Sequence, residues 1–114
     1  MKLSPAVQAV TRAALDKKGE HVVVLDLRRE TDFTDFFVLV SGNSQRQLVA
    51  IVDAVLELLR AQGLRPAHVE GYPRGEWILL DFGSFVVHVF TARSRSFYDL
   101  ERLWGGAERL ELDT

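Results

Sequence analysis

The residues best suited to chemistry lie in one stretch, WILLDFGSFVVHVF, from Trp77 to Phe90. It holds Asp81, Ser84 and His88, the three residue types of a nucleophilic triad. Their spacing works against that chemistry. Ser84 falls in a Gly-Ser turn, and His88 lies along the following strand, roughly 13 Å away at the rise of an extended chain. No Gly-x-Ser-x-Gly elbow is present to present a serine at the head of a helix. Other candidates are weaker. Ser41-Gly42-Asn43-Ser44 could hold an anion at a helix start, but no lysine follows as in a phosphate-binding loop, and a helix cap explains the same residues. Asp32 and Asp35 could hold a metal ion, yet no further ligands stand near them in sequence. His21, His68 and His88 are too dispersed for a ligand set. Arg28–Glu30 and Arg93–Arg95 are small basic spots, the second able to contact phosphate. Neither a metal nor a cofactor is expected.

The elements that must position these groups follow from periodicity. Glu76–Phe82 and Phe85–Thr91 are β-rich runs joined by Gly83-Ser84, a two-residue hairpin signal with glycine where a type II′ turn needs it. That loop sets the register: Asp81 opposite Val86, Leu79 opposite His88, Trp77 opposite Phe90. Alternation then divides the hairpin. One face carries Ile78, Leu80, Phe82, Phe85, Val87 and Val89 and must be covered. The other carries Trp77, Leu79, Asp81, Val86, His88 and Phe90. There Asp81 and His88 are diagonal neighbours within reach of a hydrogen bond or ion pair, and Trp77 and Phe90 form a cross-strand aromatic pair. Two readings of this mixed face stay open: a helix covers it, or it is an interface with a few oriented polar groups.

Upstream, Ser4-Pro5 predicts a capped helix ending near Gly19. His21–Leu27 and Phe36–Val40 read as strands. Ser44 caps a long amphipathic helix, with Leu48, Ile51, Val52, Val55, Leu58 and Leu59 on one stripe and Gly63 closing it. A short strand is expected at Ala67–Glu70, making a βαβ crossover with Phe36–Val40. Ser96-x-x-Asp99 suggests a capping box before a last short helix, FYDLERLW. The tail GGAERLELDT is expected to be loose or a terminal strand. The order α-β-β-α-β-β-β-α predicts one α/β domain over residues 1–114, a mixed sheet of about five strands flanked by helices.

Composition narrows the function. The chain has 114 residues, 47% of them hydrophobic and 26% charged, with a net charge of −2 and no cysteine. Disulfides and cysteine-ligated zinc are therefore excluded. The basic field usual for direct nucleic-acid binding is missing, so a nucleic-acid role would rest on a local patch or pass through a protein partner. No apolar run approaches the roughly 18 residues of a membrane span, and the first residues lack a secretory core; no membrane association and a cytoplasmic address are expected.

Four segments, TDFFVLVSGNS (Thr34–Ser44), Glu70-Gly71, WILLDFGSFVVHVF (Trp77–Phe90) and RSFYDLERLW (Arg95–Trp104), resemble the ribosomal silencing factor, or Iojap-like, family in order and spacing. The resemblance implies a cytoplasmic α/β protein on a nucleotidyltransferase-like sheet, usually a homodimer. It implies binding to the large ribosomal subunit through ribosomal protein L-fourteen, on the face that meets the small subunit. Subunit joining would be blocked sterically and translation repressed when nutrients are short, without catalysis. By matching motif positions, the resemblance assigns partner contacts to Trp77, Asp81, His88, Phe90, Arg95, Tyr98, Leu100 and Trp104, whether to the ribosome or to a dimer mate. Asp81 would meet a basic group, and Arg95 an acidic group or, as a minor contact, ribosomal RNA. The alternative is a nucleotide- or metal-dependent transferase on the same fold. Such an enzyme needs paired carboxylates on the strand after the long helix, and Ala67–Glu70 carries no Asp-x-Asp.

Overall fold

A computed structural model describes residues 1–112; Asp113 and Thr114, the end of the tail expected to be loose or a terminal strand, lie outside the described residues. The elements are α1 (Pro5–Asp16), β1 (Glu20–Asp26), β2 (Phe36–Gly42), α2 (Gln45–Ala61), β3 (His68–Glu70), β4 (Trp77–Asp81), β5 (Phe85–Thr91), α3 (Ala92–Tyr98), α4 (Leu100–Leu103) and β6 (Glu108–Leu112). All six strands join one mixed sheet in the order β3-β4-β5-β2-β1-β6. The expected strand count rises from about five to six because the tail pairs antiparallel with β1.

Helices α1 and α2 cover one face. Their start points are those the sequence indicates: the Val7 amide donates to Ser4 Oγ and the Gln47 amide to Ser44 Oγ, each filling one orphan donor of a helix start. Gln47 does more than continue α2. Its Nε2 donates to the carbonyls of Lys17 and Lys18 at 3.2 and 2.9 Å, so it also ties down the end of α1. That end takes its left-handed turn at Lys18, not at the expected Gly19. Gly19 is needed for space instead: a Cβ there would stand 2.7 Å from a Val40 methyl. The main core lies between these helices and the sheet. It includes Ile78, Leu80, Phe85, Val87 and Val89, the hairpin face expected to be covered.

The hairpin register is the expected one throughout, from Asp81↔Val86 to Trp77↔Phe90, with Gly83 at a φ of 87° in the loop. The crossover differs from expectation. The parallel neighbour of β2 is β5, and β3 sits two strands further out as an edge, antiparallel to β4. The cause is hydrophobicity. The seven-residue β5 is buried from Phe85 to Phe90, whereas all three residues of β3 are exposed. A strand buried on both faces takes the centre, and a short charged one suits the edge. The expected capping box also fails. Thr91, at the end of β5, caps α3 through its hydroxyl, which accepts from the Ser94 amide, and Ser96 lies inside that helix. Asp99 then takes a left-handed conformation at φ 49° and separates α3 from α4.

Candidate functional site

The second sheet face is only partly roofed. Val23, Leu25, Leu27, Phe37, Leu39, Val86 and Phe90 form a smaller core there, and half-buried Trp77, Leu79, Leu100, Trp104 and Ala107 pack on its margin. The covering reading therefore holds in part: α4 and Trp104 roof one portion, and aromatic rings surface over the rest.

The expected Asp81–His88 pair does not form. Asp81 ends β4, and its Oδ1 accepts the Gly83 amide at 2.8 Å, a local bond that aspartate readily makes two residues ahead of a turn. His88 is instead the acceptor for Trp77, whose Nε1 donates to its Nδ1 at 3.1 Å. This bond fixes the tautomer: Nδ1 is bare and Nε2 carries the hydrogen. Nε2 is buried with no hydrogen-bond partner among the described residues. The Phe37 ring packs against the imidazole, 4.4 Å between centroids with the planes at 61°. His88 is thus sealed on one side and occupied on the other. It cannot serve as a base for an outside substrate from this position, and Ser84 is out in the exposed loop.

Burial lowers the His88 pKa to about 3. The unfolded chain takes up a proton here near 6.5, while the folded chain refuses it until far lower pH. Stability from this group is therefore complete above 6.5 and is lost as pH falls toward 3, by about 1.4 kcal/mol per unit. Between about pH 7.5 and about pH 5, His88 alone costs about 2 kcal/mol. Urea unfolding across that interval checks it. His88→Gln flattens this part of the profile whatever its own stability, because the variant lacks the buried imidazole. An unchanged slope in the variant would show that another group carries it.

Direct contact by three of the expected residues is corrected by burial. His88 is 2% exposed and Phe90 1%, so both form the floor beneath Trp77, which stacks on Phe90 at 5.3 Å. Arg95 is also turned inward. Its Nε donates to Glu101 Oε1 at 2.8 Å, and its Nη1 donates to the His21 carbonyl at 2.7 Å and to Ser41 Oγ at 2.9 Å. A bulge in β1 puts His21 at a φ of 49°, where its carbonyl accepts this guanidinium. Arg109 completes the group by donating to Glu101 Oε2 at 2.6 Å. Arg95 thus joins α3 and α4 to β1 and β2.

Rings reach the surface in two groups, joined underneath by the buried rings of Phe37 and His88. From one end, Phe33 approaches Trp104 at 6.2 Å, and Trp104 approaches Phe37 at 6.1 Å. Phe37 and His88 lead to Trp77, which meets Tyr98 at 4.5 Å, and Tyr98 meets Phe97 at 5.0 Å. Tyr98 is 51% exposed, Phe97 78%, Phe33 62% and Leu103 71%. Of the expected residues, Trp77 and Tyr98 are in ring contact, Trp104 links to them only through Phe37 and His88, and Leu100 packs against the smaller core. Phe33, Phe97 and Leu103 are additions. Phe33 had a signal, a lone aromatic within the polar segment RRETDFTD. Beside Tyr98 opens a cleft of about 580 Å³, lined by Arg74, Gly75, Glu76, Trp77, Arg93, Ser94, Phe97 and Tyr98. Metal chemistry finds no matching arrangement: among the described residues, no three His, Asp or Glu side chains gather as a ligand set. β3 presents His68 and Glu70 paired at 2.6 Å on the exposed edge, where the transferase alternative would need paired carboxylates. Among the described residues, no helix is long and apolar enough to cross a membrane.

Comparison with known proteins agrees with this architecture. A protein from Halalkalibacterium halodurans named Ribosomal silencing factor RsfS is 39% identical over 107 residues, covering 94% of this chain and 92% of its own. A mouse protein named Mitochondrial assembly of ribosomal large subunit protein 1 is 34% identical over 91 residues, 77% of this chain and 40% of its own. A crystal structure of a Chromobacterium violaceum protein superposes with a TM-score of 0.87 at 32% identity, covering 100% of this chain and 95% of that one. The family model described as Ribosomal silencing factor during starvation matches residues 2–114. Sequence and fold thus agree over nearly the whole length, and the chain belongs to the ribosomal silencing factor family.

Proposed function

We propose that this protein docks on the large ribosomal subunit through the aromatic face, with ribosomal protein L-fourteen as its partner. There it keeps the small subunit from joining and represses translation under nutrient limitation. The observation that carries this reading is the cluster of exposed Tyr98 and Phe97 on half-buried Trp77, set on a rigid sheet. Contiguous surface aromatics are the usual anchors of protein interfaces, and soluble proteins seldom leave such a patch without a use. Family membership supports the ribosome as the target, and the name of the mouse relative supports the large subunit. Trp77, Tyr98 and Trp104 act as anchors with Leu100 behind them. Asp81 offers its remaining carboxylate oxygen to a basic group. His88 and Phe90 hold the anchors from below, and Arg95 holds the helices that carry them. The action is steric, needs no cofactor and takes place in the cytoplasm. The Phe33–Trp104–Leu103 end of the face suits a second copy of the chain, so a homodimer is part of the proposal.

Gradient sedimentation tests it. Purified protein is expected to travel with large subunits and to lower the yield of joined ribosomes when small subunits are added. Protein that stays at the top of the gradient with large subunits in excess would sink the reading.

A further inference from the structure

We infer that the cleft beside Tyr98 binds an unpaired nucleotide of single-stranded RNA, its phosphate on Arg74 and Arg93 and its base against Tyr98 and Phe97. This adds an RNA contact to the proposed ribosome-binding face, and it rests on that reading only for the source of the RNA.

The cleft combines what a nucleotide needs. Arg74 and Arg93 both line it and are both exposed. Among the described residues, neither guanidinium pairs with a carboxylate, whereas Arg28, Arg95 and Arg109 all do. Exposed Tyr98 and Phe97 supply ring faces, and stacking on such rings accepts any base. Glu76 is the one acidic group in the lining, and its Oε1 accepts the Thr91 hydroxyl at 3.2 Å. Its other oxygen is available to the exocyclic amine of adenine, cytosine or guanine. Two unpaired guanidiniums suit a phosphate and two ring faces suit a base, a combination that a nucleotide carries in one unit. The volume of about 580 Å³ lies within the range of small-ligand sites.

The walls are held in advance. Gln45, the first residue of α2, donates from Nε2 to the carbonyls of Pro73 and Gly75 at 2.7 and 2.9 Å, fixing the loop on both sides of Arg74. On the opposite wall, Ser94 Oγ donates to the Glu76 carbonyl at 2.6 Å, joining α3 to the lead into β4. Gly71 lets this loop close: a Cβ there would lie 2.1 Å from the Trp77 carbonyl oxygen. Binding therefore orders little backbone, which favours affinity. This placement also moves the RNA contact from Arg95, whose donors are used internally, to two arginines on either side of the same face.

Fluorescence anisotropy with labelled hexa-adenylate RNA tests the inference across a potassium chloride series. Saturable binding by the wild type is expected, weakened about tenfold by Tyr98→Ala. Arg74→Ala combined with Arg93→Ala weakens it further and lowers the salt slope by about 0.7, the value for one neutralised phosphate of a single strand. Arg60→Ala removes an exposed charge elsewhere on α2 and leaves binding unchanged. Hexa-uridylate, which lacks the amine, binds more weakly. The inference is overturned if hexa-adenylate fails to saturate at millimolar protein, if the double variant binds like the wild type, or if Arg60→Ala weakens binding as much. Adenosine monophosphate competing as tightly as hexa-adenylate would replace RNA by a free nucleotide. A double variant that loses large-subunit sedimentation but keeps hexa-adenylate binding would put a protein segment in the cleft. Wild-type sedimentation is scored separately: its failure sinks the ribosome reading, while the titration still decides the cleft.

Discussion

Arg95→Ala is expected to lower folding stability by about 3 kcal/mol, a loss of roughly two orders of magnitude in the folded-to-unfolded ratio. The side chain is only 11% exposed, and three acceptors depend on it. Removing it leaves the buried Ser41 Oγ short of a donor, and an unsatisfied buried group costs more than an average hydrogen bond contributes, while the carbonyl of exposed His21 can turn to water. Glu101 keeps Arg109 and is 23% exposed, which holds the loss at the lower end for a broken buried pair. Arg95→Lys is expected to recover little, because one ammonium cannot reproduce the planar fork that reaches Glu101, His21 and Ser41 together. Urea denaturation with unchanged slope is the measurement. A midpoint within error of the wild type would show that these bonds are exchanged for water at no cost.

The same group predicts an acid signature. Burial alone would raise the Glu101 carboxyl, but hydrogen bonds from Arg95 and Arg109, with their charges, outweigh it and hold the group below its ordinary value of 4.5. Its folded value is depressed, so its stabilisation is complete above that value and is lost as pH falls through the folded one. Arg95→Ala is expected to shrink this acid loss, because the largest opposing cause is removed. This window lies below most of the His88 window, so the two variants flatten different parts of one profile.

The hairpin was legible because its information is local. A two-residue loop with glycine at a positive φ fixes the register, and alternation then assigns every side chain to a face. The helix caps at Ser4 and Ser44 were legible for the same reason, since a hydroxyl reaches an amide only three residues on. The site was less so. Asp81 and His88 are diagonal neighbours on the hairpin face, but each has a better partner, a turn amide for one and the Trp77 indole for the other. Proximity on a strand face does not decide which donor wins. Arg95 shows the harder limit: its partners include the carbonyl of His21, 74 residues away in the chain. That carbonyl is available through a bulge that no periodicity announces. The place of β3 followed from competition among strands for the centre of the sheet, a property of the whole chain and not of its own three residues. The unexpected exposure of Phe97 belongs with these, because α3 begins five residues earlier than the Ser96 signal implies, and this turns Phe97 outward.

Tyr98→Ala is expected to weaken large-subunit association about 30-fold, about 2 kcal/mol, with unfolding unchanged to about 0.5 kcal/mol. Tyr98 is half exposed, and its hydroxyl makes no hydrogen bond among the described residues, so folding loses little when the ring goes. Its ring contacts are with Trp77 and Phe97, at the rim of the proposed docking face. Trp77→Ala is the contrasting case. It removes an anchor, but it also leaves His88 Nδ1 without its donor and strips the stack from Phe90. A stability loss of about 3 kcal/mol is expected with it, from the cavity and the orphaned acceptor together. Sedimentation with large subunits and urea unfolding, run on both variants, separate docking from folding. If Tyr98→Ala sediments like the wild type, the exposed rings are not the anchors, and the half-buried Leu100–Trp104 margin must carry the contact. If both variants lose binding and only Trp77→Ala loses stability, the two residues divide the work as their burial implies: Tyr98 meets the partner, and Trp77, held by His88, both meets the partner and supports the face from which Tyr98 projects.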